Sequence, residues 1–230
     1  MKKIIVLFLF LFTAAGGYAT QAVDFSDVLE KTNAQMFAAA ENLQKAVKNN
    51  DVAAVKKILK ETDRYVWTLT DKYGNNLFHL CEDPQVFSVL HLYLASVREE
   101  LLAQRNHIGE TPWLKYIMYG KEDLFLTYFP KSSLYARLEQ TTQDLKLQGI
   151  AGQVARDKRN SLIEECSVAG QTMWQRADIM CKGLKQAKGY AHYSRTPYNA
   201  PGMNNAASVK NRMEEVRDMI AEVAPFLVRR

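Results

Sequence analysis

The chain has 230 residues, 47% of them hydrophobic and 24% charged, with 30 Lys and Arg against 25 Asp and Glu. That balance supports a folded core and excludes a disordered chain, while three Cys, six Pro and 11 Gly exclude a disulfide-dense scaffold and a collagen-like repeat. The small positive excess is not gathered into the dense Lys/Arg runs of a nucleic-acid-binding surface, so nucleic acid is not an expected partner.

Lys2 and Lys3 precede an apolar run over residues 4–12, and the small-residue stretch Thr13-Ala14-Ala15-Gly16-Gly17-Tyr18-Ala19 comes next. This is the pattern of a secretory signal, residues 1–19, cleaved after Ala19, with Ala22 marking a second possible cleavage point. The run is shorter than the roughly 20 residues that span a bilayer core, and no Cys follows it for lipid attachment. The expectation is an exported protein of bacterial style, periplasmic or secreted, with no stable membrane insertion after cleavage. Loss of Lys2 and Lys3 leaves 28 basic against 25 acidic residues. From Thr20 to Pro130 the counts are 12 and 15, and from Lys131 to Arg230 they are 16 and 10, so a mildly acidic half precedes a basic one.

Asp24-Phe25-Ser26-Asp27 and the capping-box pattern Thr32-x-x-Gln35 offer starts for an N-terminal helix, whose periodicity runs on through Met36, Phe37, Leu43 and Val47. Two later stretches then share one signature at an offset of 35 residues: Asp71-x-x-Gly74-x-Asn76-Leu77-Phe78-His79 and Asn106-x-x-Gly109-x-Thr111-Pro112-Trp113-Leu114. A helical segment succeeds each. In the earlier unit it covers residues 86–94 after Asp83-Pro84; in the later one it is Tyr119-Gly120-Lys121-Glu122-Asp123-Leu124 and onward to Phe129. A first unit lacks the turn but keeps Leu43-x-x-Ala46 and Asn49-Asn50-Asp51-Val52, continuing to Ile58-Leu59.

A helix-turn-helix unit of about 33 residues, opening on a turn with Gly at its fourth position, resembles the ankyrin repeat. The resemblance covers about residues 35–130 as three degenerate repeats, and implies an all-α fold: a short ankyrin-like helical solenoid, residues 20–130 with the N-terminal helix covering its exposed end. Gly74 and Gly109 are expected at positive φ. His79 takes the family's structural histidine, a hydrogen-bonded tie for the turn, and Cys81 stands where the family has a small buried residue. The family binds partner proteins through turn tips and inner helix faces, which here implies Arg64, Tyr65, Trp67, Lys72, Tyr73, His107, Ile108, Glu110 and Lys115. Trp67, in a stretch read as extended over residues 65–69, has an equal claim to fill space between the first two repeats.

Residues 131–230 form a basic helical C-terminal module. Leu134, Leu138, Thr141 and Leu145 predict a helix ended by Gly149 and Gly152. Leu162, Cys166, Ala169, Met173, Ala177, Met180 and Leu184 predict one continuous helix of about six turns. On that helix Cys166 and Cys181 stand about 22 Å apart, too far for a disulfide, which would need a hairpin near Gly170; both thiols are expected reduced and packed, or one paired between chains. Residues 189–206, with Pro197, Pro201 and Gly202, read as a long loop. Ser208 then caps a last helix with the stripe Val209, Met213, Val216, Ile220, Val223 and Leu227, which must pack on the preceding helix, on the last repeat or on a second copy of the chain as a homodimer.

For chemistry the candidates are His79, Cys81, His91, His107 and His192. Residues two apart on a helix face different sides, which sets His79 against acting as base for Cys81. No CxxC, HxH or HExxH spacing suggests a metal, and no Gly-rich phosphate loop suggests a nucleotide, so neither metal nor cofactor is expected. The reading is a non-catalytic exported protein-binding module, an adaptor or inhibitor of a periplasmic partner. A secreted effector that engages a host protein is the alternative, and a Cys/His hydrolase the distant one.

Overall fold

The computed structural model describes residues 25–148, 153–193 and 203–228. The expected signal, Gly149, Gly152 and residues 194–202 of the expected loop lie outside the described residues. The chain divides into two units, Met1–Gln35 and Met36–Arg230. In the first, residues 25–35 are the opening of helix α1, Phe25–Lys48; the second holds the rest of α1 and all the other elements. Twelve α-helices, two short 3-10 turns and one two-strand hairpin make up the described residues, so the fold is all-α. No helix among them is long and apolar enough to cross a membrane.

Side-chain caps set most of the helix starts. Asp51 accepts from Ala54 N to open α2, Val52–Glu61, and Asp63 accepts from Tyr65 N and Val66 N to open α3, Arg64–Thr68. Asn76 opens α4, Leu77–Leu80, and Asp83 with Pro84 opens α5, Pro84–Tyr93. After α6, Arg98–Ala103, Thr111 with Pro112 opens α7, Pro112–Met118. Each such cap is worth about 1 kcal/mol, and Pro at the first helical position loses no hydrogen bond. Helix α8, Glu122–Tyr128, starts without a side-chain cap but carries Glu122 and Asp123 in its first turn, where the helix dipole favours them. A 3-10 turn at Phe129–Lys131 leads into α9, Ser133–Gln148, and then α10, Gln153–Glu165.

Helix pairs pack side by side. Helix α2 lies on α5, α5 on α8, α4 on α7, and α7 on α8. Between them sits a dense aromatic core. Trp113, Phe125 and Phe129 are fully buried, with Phe125 and Phe129 stacked at 4.3 Å and Trp113 edge-on to Phe129 at 5.4 Å. Such pairs add about 1 kcal/mol each beyond their buried area.

The C-terminal half departs from the single helix expected over residues 162–184. Helix α10 ends at Glu165, strands β1, Ser167–Val168, and β2, Gln171–Thr172, pair antiparallel, and α11 starts at Met173 and runs to Tyr193. Ala169 and Gly170 make the turn with φ of 49° and 74°. Thr172 and Gln175 then form a capping box, Thr172 N donating to Gln175 Oε1 and Gln175 N to Thr172 Oγ1. Gly170-Gln171-Thr172-Met173-Trp174 therefore repeats the order of Gly109-Glu110-Thr111-Pro112-Trp113, and the helices after it continue the stacking. Helix α11 lies on α7, and α12, Met203–Val223, lies on α8. The α9–α10 hairpin stands in the chain between these two turns.

One further expectation changes. The loop drawn at 189–206 is shorter, since residues 189–193 end α11 and residues 203–206 open α12, with Ser208 inside that helix. The last stripe is covered by the chain itself: Met213, Val216, Ile220, Val223 and Leu227 are all buried, with α12 against α11, α8 and α9.

Candidate partner-binding face

Turns 71–76 and 106–111 are built alike. Asp71 accepts from Tyr73 N and Asn75 N, and Asn106 accepts from Ile108 N and Glu110 N. Gly74 N donates to Asp71 O and Gly109 N to Asn106 O, each at 2.9 Å, with φ of 76° and 83° at the two glycines. These short polar side chains nucleate the same turn because each offers an acceptor to backbone N–H groups two and four residues on. Hydrogen bonds from Asn75 and Tyr73, with the Lys48 charge, hold the Asp71 carboxyl below its ordinary range although burial works the other way.

The turns also bond to one another. His107 N donates to Tyr73 O at 2.9 Å and Asn106 Nδ2 to Asn75 Oδ1 at 3.1 Å. Arg105 donates to Gly109 O and to Ser167 O, and its other terminal nitrogen donates to Glu164 O and Glu165 O at the end of α10. Turn 71–76 is thus tied to 106–111, and 106–111 to the 167–172 hairpin.

His79 serves this scaffold. Asn76 N donates to its Nδ1, so Nε2 carries the proton and donates to Glu110 O at 2.8 Å, linking the two turns. Burial lowers its pKa to about 4, which keeps the ring neutral. Cys81 is buried, its Sγ donating to Asp83 O, and burial pushes its thiol up to about 12. A neutral imidazole with both nitrogens engaged and a thiol that stays protonated lack the thiolate and free base of nucleophilic catalysis. Cys166 and Cys181 are buried as well, outside any disulfide. Among the described residues no cluster of His, Cys, Asp or Glu is arranged to hold a metal ion.

The nine residues expected to contact a partner divide into four groups. Lys72, Tyr73, His107 and Ile108 stand exposed at the tips of adjoining, hydrogen-bonded turns, with the Lys72 ammonium 5.0 Å from the Tyr73 ring. Lys115, half-buried on α7, lines a cavity of about 190 Å³ with His79, Glu82 and Tyr119. Arg64 and Tyr65 are exposed on α3, where Arg64 is engaged by Glu100 of α6 at 3.0 Å. The last two are structural. Glu110, only 5% exposed, faces Arg176 at 3.8 Å and accepts from Asn106. Trp67 lies in helix α3, where Asp63 caps what its residue types suggested was extended, and its Nε1 donates to Thr62 Oγ1.

Sequence reasoning missed two members of this face. Phe37 is 53% exposed and lines a groove of about 320 Å³ between residues 37–48 of α1 and residues 69–73, with Lys48 beside it. Tyr119, 59% exposed, carries the Lys115 ammonium 5.6 Å from its ring. Lys115 feels the charges of Lys48 and Asp71, both of which line that groove. An exposed aromatic just before Gly120 was the available signal for Tyr119; Phe37 is masked in sequence by the apolar helix stripe around it. No family model, curated protein or solved structure matches this chain.

Proposed function

We propose that this chain is a non-catalytic, exported protein-binding module, an adaptor or inhibitor of a partner in the periplasm, built on an ankyrin-type array of helix pairs. The observation that carries this reading is the contrast along one surface. Groups with reactive chemistry, His79 and Cys81, are buried and engaged. Large side chains stand exposed near Lys72 and Lys115: Tyr73 and Ile108 on turns held by backbone hydrogen bonds, Phe37 on α1 and Tyr119 at the end of α7. Exposed aromatics with flanking cations on a preorganised frame suit recognition of another protein, because little ordering entropy remains to be lost on binding. The array reading is supported by the repeated turn chemistry at Gly74, Gly109 and Gly170 and by the succession of packed helix pairs.

The test is a photo-crosslinking residue placed at Tyr73 or Ile108 in the producing cell, with Leu92, 73% exposed on α5, as the control. The expected result is one defined protein adduct from both turn positions and none from position 92, recovered from the cell envelope. Adducts of equal yield from all three positions would overturn the assignment of the face. An adduct found in the medium alone would move the partner out of the periplasm.

A further inference from the structure

We propose that this face takes an extended acidic segment of the partner protein, with one Asp or Glu carboxylate seated beside the Lys115 ammonium in the cavity between α4 and α7. The inference rests on the binding role proposed above and specifies the chemistry of what is bound.

The charges around the cavity are unevenly matched. Three carboxylates act on Lys115, and each already has a partner. Glu82 holds Lys121 at 2.7 Å, Asp71 is engaged by its own turn and by Lys48 at 3.5 Å, and Glu110 faces Arg176. None of them comes within ion-pair distance of Lys115, whose ammonium makes no hydrogen bond among the described residues. Burial lowers its pKa against the opposing pull of Glu110, Asp71 and Glu82. A half-buried ammonium in that condition gains most from a carboxylate that brings two acceptor oxygens into hydrogen-bond range. A cavity of about 190 Å³ has room for an acidic side chain.

The approach is consistent with an extended segment. The groove beside Phe37 and Tyr73 is lined by Lys48 and Asp71, whose charges reach Lys115, and it offers a second cation, Lys72, over an exposed aromatic ring. Two Lys–Tyr pairs, Lys72 with Tyr73 and Lys115 with Tyr119, therefore present cationic steps flanked by apolar ring faces along one surface. A chain with carboxylates between apolar side chains complements that pattern, whereas a basic segment would set its charges against both lysines.

The experiment selects phage-displayed random linear peptides on the purified protein, and in parallel on Lys115→Met, Lys115→Arg and Tyr73→Ala variants, each checked for an unchanged thermal transition. The expected outcome is enrichment of Asp and Glu in the peptides held by the wild type and by Lys115→Arg. Lys115→Met, which keeps the apolar stem, should weaken the selected acidic peptides by at least about tenfold, the loss expected for one charge-assisted hydrogen-bonded contact. Peptides without acid enrichment, an acid preference unchanged in Lys115→Met, or no selection at all would overturn the inference. Those results leave the binding role itself standing. Acidic peptides that bind Tyr73→Ala as tightly as the wild type would instead count against the face as a whole.

Discussion

Gly74 and Gly170 share a left-handed backbone, with φ of 76° and 74°, but differ in what surrounds them. A Cβ built on Gly74 would lie 2.7 Å from His107 Cδ2 and 3.0 Å from His107 N, whereas one on Gly170 meets nothing within 4 Å. Alanine at either site costs about 1–2 kcal/mol for the left-handed conformation. At Gly74 the new methyl also presses on the backbone N–H that donates to Tyr73 O, and pushing that group away loses about 1 kcal/mol more, with further strain against the ring. The expected losses are about 2–4 kcal/mol for Gly74→Ala and about 1–2 kcal/mol for Gly170→Ala. Gly109→Ala should resemble the latter, because its nearest neighbour, Val168 Cγ2, is 3.4 Å away at a side chain. Urea unfolding followed by far-UV circular dichroism, with slopes compared to exclude changes in the unfolded state, measures all three. His107→Ala in the Gly74→Ala background removes the ring contact but not the backbone one and should recover part of the loss. Equal cost at Gly74 and Gly170, or full recovery in the double variant, would refute the turn-on-turn contact.

His79 sets a pH dependence. Its folded pKa is lowered to about 4 while the unfolded ring titrates near 6.5, so the unfolded state binds the proton first. Stability is complete above about pH 6.5 and falls as pH drops toward about 4, by about 3 kcal/mol in all. His79→Gln, which puts at this capping box the residue that Gln175 supplies at the 167–172 turn, should flatten that segment of the stability profile; an unchanged profile would contradict the assignment. For Cys81, alkylation by iodoacetamide should be absent in the native protein and appear only with denaturant, read by mass spectrometry. Rapid native labelling would mean that the thiol is accessible and that the catalytic alternative must be reopened.

Local turn chemistry could be read directly from residue order. Asp71, Gly74, Asn106 and Gly109 sit where the turns demand them, and His79 carries both of its hydrogen bonds within that scaffold. The turn at 167–172 was hidden for two physical reasons. Leu162, Cys166, Met173 and Ala177 are buried on both sides of the hairpin, so their spacing imitates one unbroken helical stripe. The α9–α10 hairpin also displaces Gly170 from the 35-residue offset, so the shared Gly-x-Thr-x-Trp order had no period to announce it. Trp67 went astray because β-branched and aromatic residues favour strands, a tendency that the Asp63 cap overrides. Glu110 reads as a turn-tip charge, and only the approach of Arg176 from far along the chain shows why it is buried.

If the turn tips bind a partner while the helices only hold them in place, binding and stability must separate. The most direct measurement is capture of the crosslinked partner by the Tyr73→Ala/His107→Ala double variant, alongside its thermal unfolding. Both side chains are exposed, so the transition should stay within about 2 °C of the wild type. Capture should be lost even so. Undiminished capture by the double variant would contradict the turn-tip assignment and move the binding site to the C-terminal helices.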